Sequence, residues 1–396
     1  MKILVISSVY PRRDSDTEVP WLRESLKRLV RQGVKAEVLA PRWKGLKSHE
    51  IDGIKVHRFA YGPASWEVLT HDEGAPSKMA SKPWMQLLAI PYIISGTWRC
   101  WRRCRKNPPQ IIHAHWPFPH GLMAWPVAKL LSIPMVLNFH GAELLLIRKH
   151  PWVKWILRFL LGQSSGILCN SSFTKAKIQA IRDVPVEISP YGTTLQSIDF
   201  KKEQDLSKET FKVLFVGRHI ERKGIFYLLK SAKILANKNI EFRIVGHGDQ
   251  SETLRKYAQE KSLDKVHFLG KISSEDLQKE YENSHAFVLP AIVDSKGDTE
   301  GLGVVLIEAA EYNLSLIASS VGGIVDVVKN NETGLLVPEK DPQALAEAIL
   351  KVYENPDLRE KLTQGAKKHI GQYFSWENII ERQISFYNKV LNARLG

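Results

Sequence analysis

Short apolar runs rich in β-branched residues alternate with amphipathic stretches along the whole chain. This alternation constrains the fold more than any other feature. In the first half, "KILVISS" (2–8), "KAEVLAP" (35–41), "IKVHRF" (54–59), "QIIHAH" (110–115), "PMVLNFH" (134–140), "GILCN" (166–170) and "VEISP" (186–190) read as strands. Between them, the stretch 19–33 puts Leu22, Leu26, Leu29 and Val30 on one helical face and stops at Gly33. The second half repeats the scheme, with strands at 211–217, 240–246, 265–270, 285–290, 314–319 and 334–338. Helices are expected at about 223–237, 250–262, 274–283, 302–312 and 341–354. Strand–helix repetition predicts parallel sheets covered on both faces. The charged, apolar-poor stretch 198–210 reads as a linker. The expectation is α/β: two Rossmann-like doubly wound domains, 1–196 and 197–375, with 376–396 as a helix packing back on the first. Such domains bind ligands at the carboxyl ends of their strands, and two of them facing across a cleft would hold two ligands.

At 396 residues the chain is too long for one ordinary core. With 44% hydrophobic and 25% charged residues it has the composition of a soluble globular protein. No apolar stretch reaches the roughly 18 residues that span a bilayer; the longest, 83–98, is cut by Pro91 and Gly96. The opening "MKILVISSVYP" reads as a buried strand, not a signal peptide, which implies a cytoplasmic protein. Cys100 and Cys104 are one helical turn apart and Cys169 stands alone, so no zinc spacing is present and reduced thiols are expected. Residues 1–196 carry 28 Lys and Arg against 13 Asp and Glu, a net +15, while the remainder carries 28 against 29, a net −1. The basic half calls for an anionic partner or serves solubility alone.

Three segments carry chemistry. In "FVGRHIERKG" (215–224) a strand ends at Gly217, and Arg218 and Lys223 flank the start of a helix. They read either as phosphate ligands or as surface charges. "IVGHGD" (244–249) places Gly246 and Gly248 after a second strand, where glycine permits close backbone approach of a nucleotide. Neither a Gly-x-Gly-x-x-Gly fingerprint nor a P-loop is present. "DTEGLGVVLIEAAE" (298–311) brackets an apolar helix start with Glu300 and Glu308. Glu300 falls in the preceding loop. Glu308 has apolar neighbours on both sides, which suits a buried carboxylate accepting from a ribose diol better than a wet helix face.

Together these segments resemble glycosyltransferase family four, the retaining enzymes of GT-B fold. The resemblance rests on "GRHIERKG", "VGHGD" and "EGLGVVLIE" in that order. "SSVGGIVDVV" (319–328), "NNETGLLV" (330–337), "IIHAHWPFPHG" (111–121), "NFHGAEL" (138–144) and "ISPYGTT" (188–194) extend it over nearly the whole chain. Leu302 departs from the family's usual aromatic, and Tyr191 from its frequent asparagine.

The resemblance implies transfer of a hexose-type sugar from a nucleotide diphosphate donor, UDP-sugar first and GDP-mannose second, to a saccharide or lipid-linked acceptor. The anomeric configuration would be kept, and the leaving phosphate would take the acceptor's proton. It implies that Arg218 and Lys223 hold the donor diphosphate. Glu300 and the amides near Gly301, Leu302 and Gly303 would grip the sugar, and Glu308 the ribose. His140 would reach the sugar across the cleft. Gly246, Gly248, Lys271 and Ile272 would frame the base. On the acceptor side stand His115, Asp16 and Glu18; His113 is expected on the opposite strand face, in the core.

Asp14-x-Asp16 reads as a chance pair in a charged loop or a metal site, and the resemblance implies no metal and no other cofactor, since Arg218 and Lys223 supply the positive charge. Two segments, 96–106 and 147–162, mix tryptophans with Lys and Arg. They suit an anionic membrane surface, placing the enzyme on the inner face of the cytoplasmic membrane, or they are ordinary helices whose aromatics pack on the sheet. No nucleic-acid recognition motif accompanies them. The rival readings are a GT-B-like sugar-nucleotide epimerase or hydrolase, and a non-catalytic nucleotide-sugar-binding protein.

Overall fold

The computed structural model describes residues 1–16, 18–71, 78–79, 82–193 and 210–393. The chain divides into two compact units, Met1–Pro190 with Trp376–Gly396, and Tyr191–Ser375. The expected division at 196/197 and all but the last residue of the expected linker lie outside the described residues.

Among the described residues, the sheet of the first unit has the order β3-β4-β2-β1-β5-β6-β7-β8. Its strands are β1 (Lys2–Ile6), β2 (Lys35–Pro41), β3 (His49–Ile51), β4 (Ile54–Phe59), β5 (Ile111–His115), β6 (Met135–Phe139), β7 (Gly166–Cys169) and β8 (Glu187–Ile188). All pair in parallel except the edge strand β3. Strand β1 shows why its apolar run is continuous. Ile3 and Val5 point into a core shared with the helices Pro20–Arg31 and Trp376–Asn392. Leu4 and Ile6 point into a second core, shared with the helices Ala89–Lys106, Pro117–Leu130 and Trp152–Gln163. A strand buried on both faces has no side to give to water. Cys100, Cys104 and Cys169 are free thiols in the second of these cores.

The second unit orders its described strands β11-β10-β9-β12-β13-β14, all parallel. They are β9 (Phe211–Val216), β10 (Ile240–Val245), β11 (Val266–Gly270), β12 (Ala286–Leu289), β13 (Ser315–Ser319) and β14 (Leu335–Val337). This is the doubly wound order in which the chain reverses direction between β9 and β12, and ligands bind beyond the carboxyl ends of strands at such a reversal. Side-chain caps fix several helix starts. Ser273 accepts from the Asp276 amide, and Asp341 accepts from Gln343 and Ala344.

Candidate active site

The loops after β9 and β12, neighbours at the reversal point of the second sheet, bring together a cluster of charged groups. After β9 the chain turns through Gly217 and Arg218 into a single 3-10 turn, Glu221–Lys223, before the helix Ile225–Ile234. That turn aims Arg222 and Lys223 at the loop after β12. Lys223 Nζ lies 2.5 Å from Glu300 Oε2, and Arg222 donates to the same oxygen at 2.9 Å. A second carboxylate, Asp298, stands 3.4 Å from Arg222 Nε. Burial alone would raise the Glu300 carboxyl, but the Lys223 and Arg222 charges together bring it down to about 2. Glu300 is therefore a fixed anion clamped by two cations.

The backbone beneath Glu300 is equally constrained. Gly323 donates its amide to the Glu300 carbonyl at 2.9 Å. Gly322 has φ +58°, and a Cβ there would sit 2.1 Å from that carbonyl oxygen. Gly322 is thus required by the seat of Glu300 itself.

Glu308 lies on the helix Val304–Glu311, which begins after Gly303. Tyr281 donates its hydroxyl to Glu308 Oε2 at 2.9 Å. Burial pushes the Glu308 carboxyl up to about 7, against the pull of the Tyr281 bond and the Lys223 charge. Glu311, one turn on, is also pushed up to about 7, by burial and then by Glu308.

In the first unit the corresponding strand ends carry histidines. His115 closes β5 and His140 follows β6. His115 Nδ1 and His140 Nε2 are 3.0 Å apart, and the rings stack with planes 9° apart. Trp21 and Trp116 flank His140, with centroids at 4.8 and 4.6 Å. Burial, reinforced by His113, holds His140 down at about 3, so its imidazole is neutral at physiological pH. The His140 amide donates to Glu143 Oε1 at 2.8 Å, and burial pushes that carboxyl up to about 7.

Several sequence-predicted residues occupy places their spacing did not disclose. Glu300 and Lys223 are brought together; Arg218 is exposed and makes no ion pair among the described residues. Arg222, not singled out from the sequence, takes the contact with Glu300. Its only signal was its position beside Lys223 in "GRHIERKG". Tyr281, the partner of Glu308, had no signal.

Leu302 turns its side chain into the core, leaving only backbone for a ligand. Gly246 and Gly248 meet the protein's own backbone: a Cβ on Gly246 would lie 1.9 Å from the Gly217 carbonyl oxygen, and one on Gly248 2.5 Å from that of His219. Close approach is real there, but it joins two loops of the same unit. Lys271 is exposed and Ile272 half-buried beyond β11. Asp16 is held by Arg12, with Nε–Oδ2 at 2.7 Å, and accepts from the Glu18 amide at 3.3 Å. His113 is a correction. Residues two apart on a strand share a face, and the His113 and His115 rings lie 4.4 Å apart. His113 is nonetheless buried, bonded through Nδ1 to the Tyr387 hydroxyl at 2.8 Å.

Comparison with known proteins agrees with this architecture. The family model described as Glycosyltransferase Family 4 matches residues 21–196, and that described as Glycosyl transferases group 1 matches residues 196–369. The chain belongs to glycosyltransferase family four and is a glycosyltransferase. The amylovoran biosynthesis glycosyltransferase AmsK of Erwinia amylovora is 28% identical over 263 residues, 65% of this chain and 64% of that one, so just under two thirds of that relative is matched.

Among solved structures, the sucrose-phosphate synthase of Thermosynechococcus elongatus superposes with a TM-score of 0.77 at 21% identity, covering 99% of both chains. HepE of Anabaena, in complex with UDP and glucose, superposes with a TM-score of 0.67 at 16% identity, over 98% of this chain and 100% of that one. At such identities these two show the fold alone, which is GT-B.

Proposed function

We propose that the protein transfers a hexose from a nucleotide diphosphate sugar to a saccharide or lipid-linked acceptor with retention of configuration, in the synthesis of a cell-surface polysaccharide or glycolipid. The observation that carries this reading is the Lys223–Glu300–Arg222 cluster at the reversal point of the second sheet. Fixed cations beside the strand ends suit a diphosphate whose negative charge grows as the sugar leaves. Glu300 then holds the sugar hydroxyls while Lys223 and Arg222, joined by the exposed Arg218, meet the phosphates. Glu308, in its ionised form, accepts from the ribose diol. The neutral His140 offers a hydrogen bond to the transferred sugar without adding charge. As the anomeric C–O bond breaks, its electron pair goes to the diphosphate, and the acceptor hydroxyl attacks from the same face. Its proton passes to the leaving phosphate oxygen. In this scheme the cations of the chain supply the charge stabilisation, and no metal takes part.

A UDP-sugar is the favoured donor, supported by the UDP-bound HepE complex, with GDP-mannose second. A polysaccharide acceptor is supported by the role in AmsK's name. The deciding experiment incubates the protein with nucleotide sugars and saccharide acceptors and determines the anomeric configuration of the product. Acceptor-dependent donor consumption with retained configuration is expected. An epimerised or merely hydrolysed donor, independent of acceptor, would overturn the reading. A thermal-shift panel of UDP- and GDP-sugars selects the base, because a ligand that binds only the folded chain raises its melting temperature.

Peripheral attachment to an anionic membrane on its cytoplasmic side completes the proposal. No helix among the described residues is long and apolar enough to cross a membrane. Instead Trp152, Trp155 and Phe159 stand exposed on the helix Trp152–Gln163, whose other face is buried, with Lys149 and Lys154 exposed beside them. Indole rings beside lysines suit a headgroup interface. Salt-sensitive co-sedimentation with anionic vesicles is expected, and its absence would remove this part.

A further inference from the structure

The helix Ala89–Lys106 carries an exposed apolar stripe. Ile90, Ile94 and Trp98 follow one another at four-residue spacing and are 68%, 64% and 59% exposed. Residues four apart lie on one face, so the next position of the stripe is Arg102. There the stripe meets a cavity of about 190 Å³ lined by Arg42, Arg58, Arg99, Arg102, Ser95 and Trp98 among others. The cavity opens at the carboxyl ends of β2 and β4, since Phe59 ends β4 and Arg42 follows β2.

Four guanidinium-bearing side chains line this cavity and, among the described residues, no carboxylate does. Neighbouring Arg103, by contrast, is neutralised by Glu37. Arg58 is only 2% exposed. Its terminal nitrogens donate to the carbonyls of Tyr10, Pro11 and Pro41 at 2.7, 2.8 and 3.1 Å. Its Nε, like that of Arg42, is buried with no hydrogen-bond partner among the described residues. Leaving a buried charged donor unsatisfied is costly, and Arg42, Arg99 and Arg102 add like charge around the same cavity. An anion in the cavity offsets that repulsion. The volume is several times the roughly 30 Å³ of one water, enough for phosphate groups.

We propose that this arginine cavity binds the diphosphate of a lipid-linked acceptor whose hydrocarbon lies along the Ile90–Ile94–Trp98 stripe. The site is distinct from the donor loops, which belong to the second unit. The proposal rests on the membrane-bound acceptor reading and specifies what that acceptor carries. Strand β2 is two places from β5 in the sheet, roughly 10 Å at 4.7–4.9 Å per strand. A diphosphate held here places the attached sugar within reach of His115, at the same edge of the same sheet.

The test is flotation of the whole chain with neutral vesicles doped with a long-chain prenyl diphosphate, against vesicles doped to equal charge with phosphatidylglycerol. A preference for the diphosphate lipid of at least about tenfold is expected, since charge-assisted bonds to arginine contribute about 1.5–3 kcal/mol each. Inorganic pyrophosphate should release the bound vesicles. Arg42→Gln/Arg102→Gln should lose the preference. So should Arg99→Gln/Arg102→Gln, which leaves Arg42 and the carbonyl-bonded Arg58 intact should the first variant fold poorly. Lys149→Gln/Lys154→Gln should weaken attachment to both vesicles and keep the preference. Equal binding to both vesicles, or an undiminished preference in the arginine variants, overturns the cavity assignment alone. Binding to neither overturns it together with membrane attachment.

Discussion

Glu300 is ionised at every physiological pH because two cations hold it, and those same cations are the groups a donor diphosphate would engage. Lys223→Ala should therefore lower kcat by about 10²–10³, the usual cost of removing one preorganised charge stabiliser. Steady-state kinetics with the preferred donor checks this. The pH behaviour of the two glutamates has opposite sign. Glu300, held at about 2 against an ordinary 4.5, contributes stability that is present above 4.5 and lost as pH falls towards 2. Glu308, raised to about 7, favours the folded state most below 4.5, and that contribution disappears as pH rises through about 7. A ribose diol donates to the ionised form, so donor KM should fall as pH rises through about 7, and Glu308→Gln should flatten that profile. Sequence spacing picked out Glu300, Lys223 and Glu308 as candidates but not which arginine faces Glu300. Linear distance does not say that a 3-10 turn rotates Arg222, and not Arg218, towards the loop after β12. The Tyr281–Glu308 bond joins residues from two helices, and a local pattern carries no trace of it.

Most strands and helices could be read from the apolar period, because central strands such as β5, β6, β12 and β13 are buried on both faces and the covering helices on one. The five second-unit helices expected from the sequence begin and end within three residues of expectation, as at Ile225–Ile234 against 223–237, and the helices Ile324–Val327 and Pro356–Tyr373 are additional to them. The reason for the Gly-x-Gly was less visible: Gly246, at φ +126°, permits the loop after β10 to lie against Gly217. Gly246→Ala should destabilise the chain by more than about 1 kcal/mol, at least roughly 2–4 °C in melting temperature for a unit of this size. Calorimetry reads the shift. The helix Trp152–Gln163 gives the contrasting case. Trp155 is 74% exposed, so Trp155→Ala should change stability by less than about 0.5 kcal/mol. Its effect should show in weaker vesicle binding.

The first unit closes only with the end of the chain. The helix Trp376–Asn392 supplies Trp376, Ile379, Ile380, Phe386, Tyr387 and Val390 to the core beneath β1 and β5, and Tyr387 bonds His113. Each large aromatic removed from a core costs about 3–5 kcal/mol, against about 5–15 kcal/mol for a whole domain. Truncation after Ser375 should thus unfold the first unit while the second keeps its own melting transition, a difference that calorimetry resolves. The net positive charge, +15 in residues 1–196 against −1 in the remainder, fits a first unit that meets anionic partners.

The second unit is in effect an insertion in the first, so order of synthesis and order of completion differ. A ribosome finishes Tyr191–Ser375 before it makes the helix that seals Met1–Pro190. Domains fold as units while the chain is being made, so the later-made half should mature first. The nascent amino-terminal half waits with its β1 and β5 face uncovered, and at that stage it is the part of the chain most in need of a chaperone.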